Sequence, residues 1–152
     1  MTREIPPQYT RIFNSILGTG EIIILWMVIF AQVFSFNRFI GNELDVLAFA
    51  RQFFDRSWLP NDWYLNLDIG YRQVFNYLQG FAIDRYGFLN GAYIGRITGY
   101  LVLAIALFIF FRSISLRFFL GLIVVILFLE NQSLVAGEWI AGGADTKTFA
   151  YA

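Results

Sequence analysis

The sequence predicts an all-α, polytopic membrane protein with about three transmembrane helices and interfacial amphipathic helices in its first outward loop. Composition is the first reason: 58% of the 152 residues are hydrophobic and only 14% are charged, whereas about a quarter of a typical soluble domain is charged. The second reason is the recurrence of apolar runs close to the 20 residues that a helix needs to cross a bilayer. The chain has no histidine and no cysteine, which excludes imidazole, thiolate and disulfide chemistry.

Three apolar runs are predicted to span the membrane. The first, residues 17–36, contains IIILWMVIFAQVFSF and follows a short N-terminal segment, residues 1–16. The second, residues 91–111, consists of GAYIGRITGYLVLAIALFIFF. The third, residues 114–134, has only twelve uninterrupted apolar residues, FFLGLIVVILFL, at its centre. It reaches a full span because the charged residues near its two ends can extend their polar groups to the interface.

The segment between the first two spans, residues 37–90, is predicted to be an ordered loop with two amphipathic helices. In ELDVLAFARQFFDRS, apolar residues recur at helical spacing at Leu44, Leu47, Ala48 and Phe54. GYRQVFNYLQGFAIDRYG repeats the pattern with Tyr71, Val74, Phe75, Leu78, Phe81 and Ala82. Pro60 and the turn-forming residues around it separate the two helices. Helices of this kind with Trp and Tyr at their edges are typical of the membrane interface, so both are expected to lie flat on it.

The arginines predict an orientation. Arg3 and Arg11 precede the first span, and Arg112 and Arg117 lie in the short turn, residues 112–117, between the second and third spans. Short cytoplasmic segments of membrane proteins are enriched in Lys and Arg. We therefore expect a multi-pass protein of the cell inner (plasma) membrane, with its N-terminus and this turn in the cytoplasm.

Two segments are then expected on the outer side, residues 37–90 and residues 135–152. The second of these is polar and glycine-rich and ends in TKTFAYA, which is interpreted as the start of a possible fourth helix. On this basis the chain is interpreted as a fragment of a longer multispanning protein.

The order of these elements resembles a known family. The outward loop with acidic residues after the first span, the DRSWLPNDWYLN segment, the span beginning GRITGYLVLAIALFIFFR and the final GEWIAGGADTKTFAYA carry the resemblance. Together they resemble the N-terminal portion of bacterial GT-C-fold integral membrane glycosyltransferase-like proteins, most of all an uncharacterised branch. The resemblance covers nearly the whole chain in its layout. It implies transfer of a sugar from a polyprenyl-phosphate donor at the outer face of the lipid bilayer, together with further membrane helices or subunits.

The resemblance also implies roles for particular residues. In such enzymes a carboxylate of the first outward loop acts as base or orients the acceptor, and Asp45 with Glu43 occupies that position. Leu44 stands between them where the family has an adjacent acidic pair. Polar groups of later loops help to hold the donor phosphate, and the candidates there are Glu138, Asp145 and Lys147. Arg96, inside the second span, is a further substrate-binding candidate because guanidinium suits phosphate.

Each candidate also has a structural interpretation. Acidic residues at positions 43 and 45 would be favoured by the dipole at the start of a helix. Arg96 and Glu130 could extend to the interface rather than face a cavity or a partner. Lys147 could be an ordinary loop lysine. Carboxylates alone could bind a divalent cation such as Mg²⁺, although no ligand spacing in the sequence demands one.

Two other classes of function stay open from the sequence. One is a noncatalytic small integral membrane subunit of a larger complex, and the other is a transporter fragment, since two predicted spans carry Arg96 and Glu130. The formal net charge of zero provides no basic surface for nucleic acid. The 152-residue chain alone is expected to be inactive, because three spans cannot enclose both a lipid-linked donor and an acceptor.

Overall fold

The computed structural model describes residues 7–40, 42–67, 72–135, 141–144 and 146–150. Within these ranges the chain consists of helices joined by turns and bends, with no strand, so the prediction of an all-helical protein is confirmed. In chain order the helices are α1 (Pro7–Val33), α2 (Glu43–Phe54), α3 (Gln73–Tyr86), α4 (Phe88–Ser113), α5 (Phe118–Val135) and α6 (Thr146–Ala150).

Two helices are long and apolar enough to cross a membrane, judged by length and composition. They are the Ile16–Val33 part of α1 and the whole of α4, Phe88–Ser113. At 1.5 Å per residue α4 extends about 39 Å, more than the roughly 30 Å of a bilayer's hydrocarbon core. The apolar part of α5, Phe118–Leu134, is shorter, and its backbone leaves helical geometry at Asn131. The third span therefore stays a prediction.

The long helices form one packed unit in which α1 contacts both α4 and α5. Its core is apolar and includes Leu25, Ile29, Tyr100, Leu103, Ala104, Phe111, Val125 and Leu129. On their other faces the same helices carry large exposed apolar side chains, such as Met27, Ile109 and Phe119. Helices that are apolar on all sides are typical of a membrane span, where the outer face contacts lipid.

The shorter helices form a second packed unit, in which α3 contacts both α2 and the beginning of α4. Gly80 permits the close contact of α2 with α3, since a Cβ there would lie 2.2 Å from the carbonyl oxygen of Ala50. Gly95 does the same on α4, where a Cβ would lie 2.6 Å from the Cβ of Ala144. Glycines therefore permit the close contacts of α2 with α3 and of the 141–144 segment with α4.

The apolar side chains of α3 lie mostly on its exposed face. Val74, Leu78 and Phe81 are exposed, whereas the face toward the protein contains Asn76 and Gln79. The Gln79 side-chain amide donates to the carbonyl oxygen of Gly91 on α4 at 2.6 Å, which satisfies a polar group in this contact. The exposed apolar face is what an interfacial helix needs, because that face enters the membrane.

The helix ends differ from the predicted boundaries of the spans. Helix α1 begins at Pro7, ten residues before the predicted first span, and ends at Val33, three residues earlier than expected. The early end has a physical reason: residues 34–40 leave the helical path and direct two backbone carbonyls at Arg96.

Candidate functional site

A buried ion pair lies where the two packed units meet. Arg96 of α4 donates from Nε to Oε1 of Glu43 at 2.9 Å and from Nη2 to Oε2 at 2.5 Å. Both side chains are completely buried. Glu43 is the first residue of α2, so this two-point contact of a planar guanidinium with a carboxylate joins α2 to the first half of a long apolar helix.

The guanidinium of Arg96 has further partners in the chain between α1 and α2. Its Nη1 donates to the carbonyl oxygen of Ser35, and its Nη2 donates to that of Arg38 at 2.7 Å. Its Cζ lies 5.8 Å from the ring centre of Phe34 and 5.7 Å from that of Tyr93. A cation over aromatic faces is stabilised electrostatically, and more strongly once it has been removed from water.

The carboxylate of Glu43 also has backbone partners. The N–H of Ile40 donates to Oε2 at 3.0 Å, and the N–H of Ala144 donates to Oε1 at 2.5 Å. With the two bonds from Arg96 the carboxylate accepts four hydrogen bonds, about the full capacity of its two oxygens. A charge removed from water is tolerated only when it is paired and hydrogen-bonded in this way.

This geometry bears on two of the predicted site residues. Glu43, predicted as a catalytic carboxylate beside Asp45, has both oxygens occupied by donors of the protein. Arg96, predicted as a phosphate ligand, is enclosed by protein carbonyls, rings and Glu43. We therefore assign both to a structural pair. Of the two alternatives for Arg96, pairing with a protein partner fits the geometry, because an ionisable residue within a span usually finds such a partner.

The 141–144 segment is attached to the bundle at two more points. Tyr100 of α4 donates its hydroxyl to the carbonyl oxygen of Gly142. The side-chain amide of Gln132 on α5 donates to the carbonyl oxygen of Ala141 and accepts from its N–H, both at 2.9 Å. Together with Glu43 these contacts place the segment against α4 and α5. Sequence reasoning missed Gln132 and Tyr100, and the signal available was a polar group within or beside a predicted span.

The other predicted site residues are placed differently. Asp45 is exposed in the first turn of α2, two residues beyond Glu43. Lys147 lies in α6 and is half-buried. Glu138 and Asp145 lie outside the described residues. Asp45 and Glu43 thus lie on the same helix, Asp45 exposed and Glu43 buried.

The turn that contains Pro60 is held together by its own side chains. Asp62 accepts from the backbone N–H groups of Tyr64 and Leu65, each at 3.0 Å. The Asn66 side-chain amide donates to the carbonyl oxygen of Asp62 at 2.6 Å. Earlier in the turn, the Ser57 hydroxyl and N–H donate to Asp55, and these bonds hold the pKa of that carboxyl below its ordinary value. This loop shows the features of an ordered connector.

A groove of about 990 Å³ lies between α3, α4 and α6, and we call it the α3–α4–α6 groove. Its walls are mainly apolar, with Val74, Phe75, Leu78, Phe81, Ala82, Ile94 and Phe149 among the lining residues. Two cationic residues, Arg72 and Lys147, also line it. Both make other interactions within the protein as well. The groove thus combines a long apolar surface with positive charge, a combination that suits an anionic amphiphile.

The sequence did not single out Arg72, which precedes α3 and has a left-handed backbone conformation with φ of 77°.

Among the described residues no three acidic side chains are close enough to one another to hold a metal ion. No protein-family model, curated protein or solved structure matches the chain. The function that the resemblance to GT-C-type proteins implies is therefore a proposal.

The buried pair can be tested by a double-mutant cycle with Glu43→Gln, Arg96→Gln and the double variant. Each single substitution leaves one buried charge unpaired, so we expect a loss of about 3–5 kcal/mol in the free energy of unfolding. The double variant should lose clearly less than the sum of the two, because no charge is then left unpaired. Chemical unfolding in detergent micelles measures all four proteins.

The matched control is the partly exposed pair of Arg51 and Asp84, which joins α2 to α3 at 2.9 Å. The coupling energy in a cycle of Arg51→Gln and Asp84→Asn should be below about 1 kcal/mol, because solvent screens this pair. A coupling energy between Glu43 and Arg96 as small as that of the control pair would contradict the assignment of a buried structural pair.

Proposed function

We propose that this chain belongs to a membrane-embedded glycosyltransferase-like protein that holds a polyprenyl-phosphate-linked sugar at the outer face of the inner (plasma) membrane. The observation that carries the proposal is the α3–α4–α6 groove, with its apolar walls and its two cationic residues. The resemblance in layout to GT-C-type proteins points to the same substrate class.

The groove fits the two chemically different ends of such a donor. An isoprenoid chain gains roughly 25 cal/mol for every Å² of apolar surface that it buries, and the walls formed by Val74, Leu78 and Phe81 offer such surface. The phosphate carries the negative charge that Arg72 and Lys147 attract. The exposed apolar face of α3 gives the lipid a route from the membrane into the groove.

Asp45 is the residue that we propose as the general base of the transfer step. Its carboxylate would take the proton from an acceptor hydroxyl while the acceptor oxygen bonds to the anomeric carbon of the sugar. The bond from that carbon to the phosphate oxygen breaks, and polyprenyl phosphate leaves with the electron pair. Asp45 is exposed, whereas Glu43 is enclosed, which is why the role falls to Asp45. No histidine or cysteine is available for it.

The proposed topology places α5 as a third span and residues 1–16 in the cytoplasm, on the basis of the arginines that flank the spans. Cysteines can be introduced cleanly, since the chain has none. Ser57→Cys should react with a membrane-impermeant thiol reagent on intact cells, and Ser113→Cys should not, because the two exposed positions lie on opposite sides. Labelling of Ser113→Cys but not of Ser57→Cys would contradict this topology and indicate the opposite orientation.

The groove can be tested with a polyprenyl phosphate that carries a photoreactive diazirine. We expect crosslinks to α3, α4 and α6, and Leu78→Glu should reduce them about tenfold because it removes an apolar wall and adds negative charge. Leu44→Glu is the control, since Leu44 is similarly exposed but lies outside the groove. Equal labelling of both variants would contradict the proposed site, and crosslinks to a second polypeptide would favour the noncatalytic subunit.

The role of Asp45 can be tested separately from lipid binding. Asp45→Asn keeps the size of the side chain but removes the base, so transfer of radiolabelled sugar in native membranes should fall by about 10²-fold or more. Diazirine crosslinking of the donor lipid should not change. Asp62→Asn is the control, because an amide oxygen can still accept the two backbone hydrogen bonds of the turn. Near-normal transfer by Asp45→Asn would contradict the role of Asp45 as general base.

A further inference from the structure

A second cleft lies at the opposite end of α4, beside the turn that leads into α5. It has a volume of about 360 Å³ and is bounded by α1, the last turns of α4 and the first residue of α5. Its lining residues are Glu21, Phe108, Phe111, Arg112, Ser115, Leu116, Arg117 and Phe118. We call it the α4–α5 turn cleft. It is separate from the α3–α4–α6 groove and shares no lining residue with it.

The charges of this cleft do not cancel. Arg112 donates to Glu21 at 2.6 Å, so these two side chains neutralise each other. The Arg112 guanidinium also lies 5.3 Å from the ring centre of Phe108. Arg117 is exposed, and its side chain makes no hydrogen bond or ion pair with any part of the chain that the structure describes. Among the residues that the structure describes, one positive charge in the cleft therefore has no counter-charge.

The backbone turn holds the two arginines in place. The N–H of Ser115 donates to the carbonyl oxygen of Arg112 at 3.2 Å, and that of Leu116 donates to Phe111 at 2.9 Å. Ser115 has a φ of 56°, which produces a tight reversal between α4 and α5. The turn brings the side chain of Arg117 back to the same cleft as that of Arg112.

The position of the cleft relates it to the membrane surface. Glu21 lies five residues inside the apolar stretch that begins at Ile16, about 8 Å along the helix axis. The charged groups thus lie near one end of the apolar helices, where long side chains can reach a membrane interface. Exposed apolar side chains adjoin the turn at Ile114 and Phe119. A ligand here meets positive charge on one side and lipid-facing helix surface on the other.

We propose that the α4–α5 turn cleft binds the phosphate of an anionic phospholipid. The phosphodiester would accept hydrogen bonds from Arg117 and from the exposed side of Arg112, while the acyl chains lie along the apolar surface beside the turn. Basic pockets between membrane helices commonly bind such headgroups. A lipid is favoured over free phosphate, because the site adjoins an apolar surface that only a lipid can cover. This inference depends neither on the proposed function nor on which leaflet faces the cleft.

The test is native mass spectrometry of the detergent-solubilised chain mixed with phosphatidylglycerol or with phosphatidylcholine. The wild type should retain phosphatidylglycerol preferentially, and Arg117→Gln should reduce that retention about fivefold, since one cation near the bound phosphate is removed. Arg117→Lys keeps the charge and should retain the lipid. Arg56→Gln is the matched control, because it removes an exposed arginine from the turn after α2, away from the cleft.

Three results would overturn the proposal. Equal retention of the two lipids by the wild type would show that the headgroup charge is not recognised. Unchanged retention by Arg117→Gln, or an equal loss in Arg56→Gln, would show that the cleft is not the site. Displacement of phosphatidylglycerol by inorganic phosphate at about the lipid concentration would identify free phosphate as the ligand, because acyl chains would then contribute nothing.

Discussion

The buried contact between Glu43 and Arg96 is the interaction on which the rest of the structure depends. It joins the start of α2 and the first half of α4 directly, and it holds the bend after α1 and the segment before α6 through backbone groups. Removing either charge would leave the other unpaired inside the protein, which is among the most destabilising changes available to a fold. The pair therefore sets the position of the surface helices on the long helices.

Glycines make this arrangement possible, because the polar groups can meet only where neighbouring backbones come close together. Gly95 precedes Arg96 and leaves room for Ala144, whose N–H reaches the Glu43 carboxylate. Gly80 lets α3 lie directly on α2. The same arrangement exposes the apolar side of α3 and forms one wall of the α3–α4–α6 groove. Scaffold and proposed lipid site thus have a common origin: the buried pair holds α2, and α2 supports α3.

The sequence predicts the local elements well and the contacts between them poorly. Long apolar runs specify α1 and α4, because helix length and hydrophobicity are local properties. The pairing of Glu43 with Arg96 spans 53 residues, and no local pattern encodes it. The resemblance to GT-C-type proteins therefore made Glu43 a catalytic candidate without any sign of its partner Arg96. Arg72 was missed for a related reason: its place in the groove depends on how α3 packs on α4, not on the residues beside it.

The most direct test of this account is the hydrogen-exchange rate of the Ala144 amide, resolved at single residues in detergent micelles. This amide lies in a short segment without regular structure, and it donates to Oε1 of Glu43. We predict slow exchange in the wild type and much faster exchange in Glu43→Ala, which removes the acceptor of this bond, while amides in the middle of α4 remain protected. Exchange of the wild-type Ala144 amide at the rate of an unprotected loop would contradict the account.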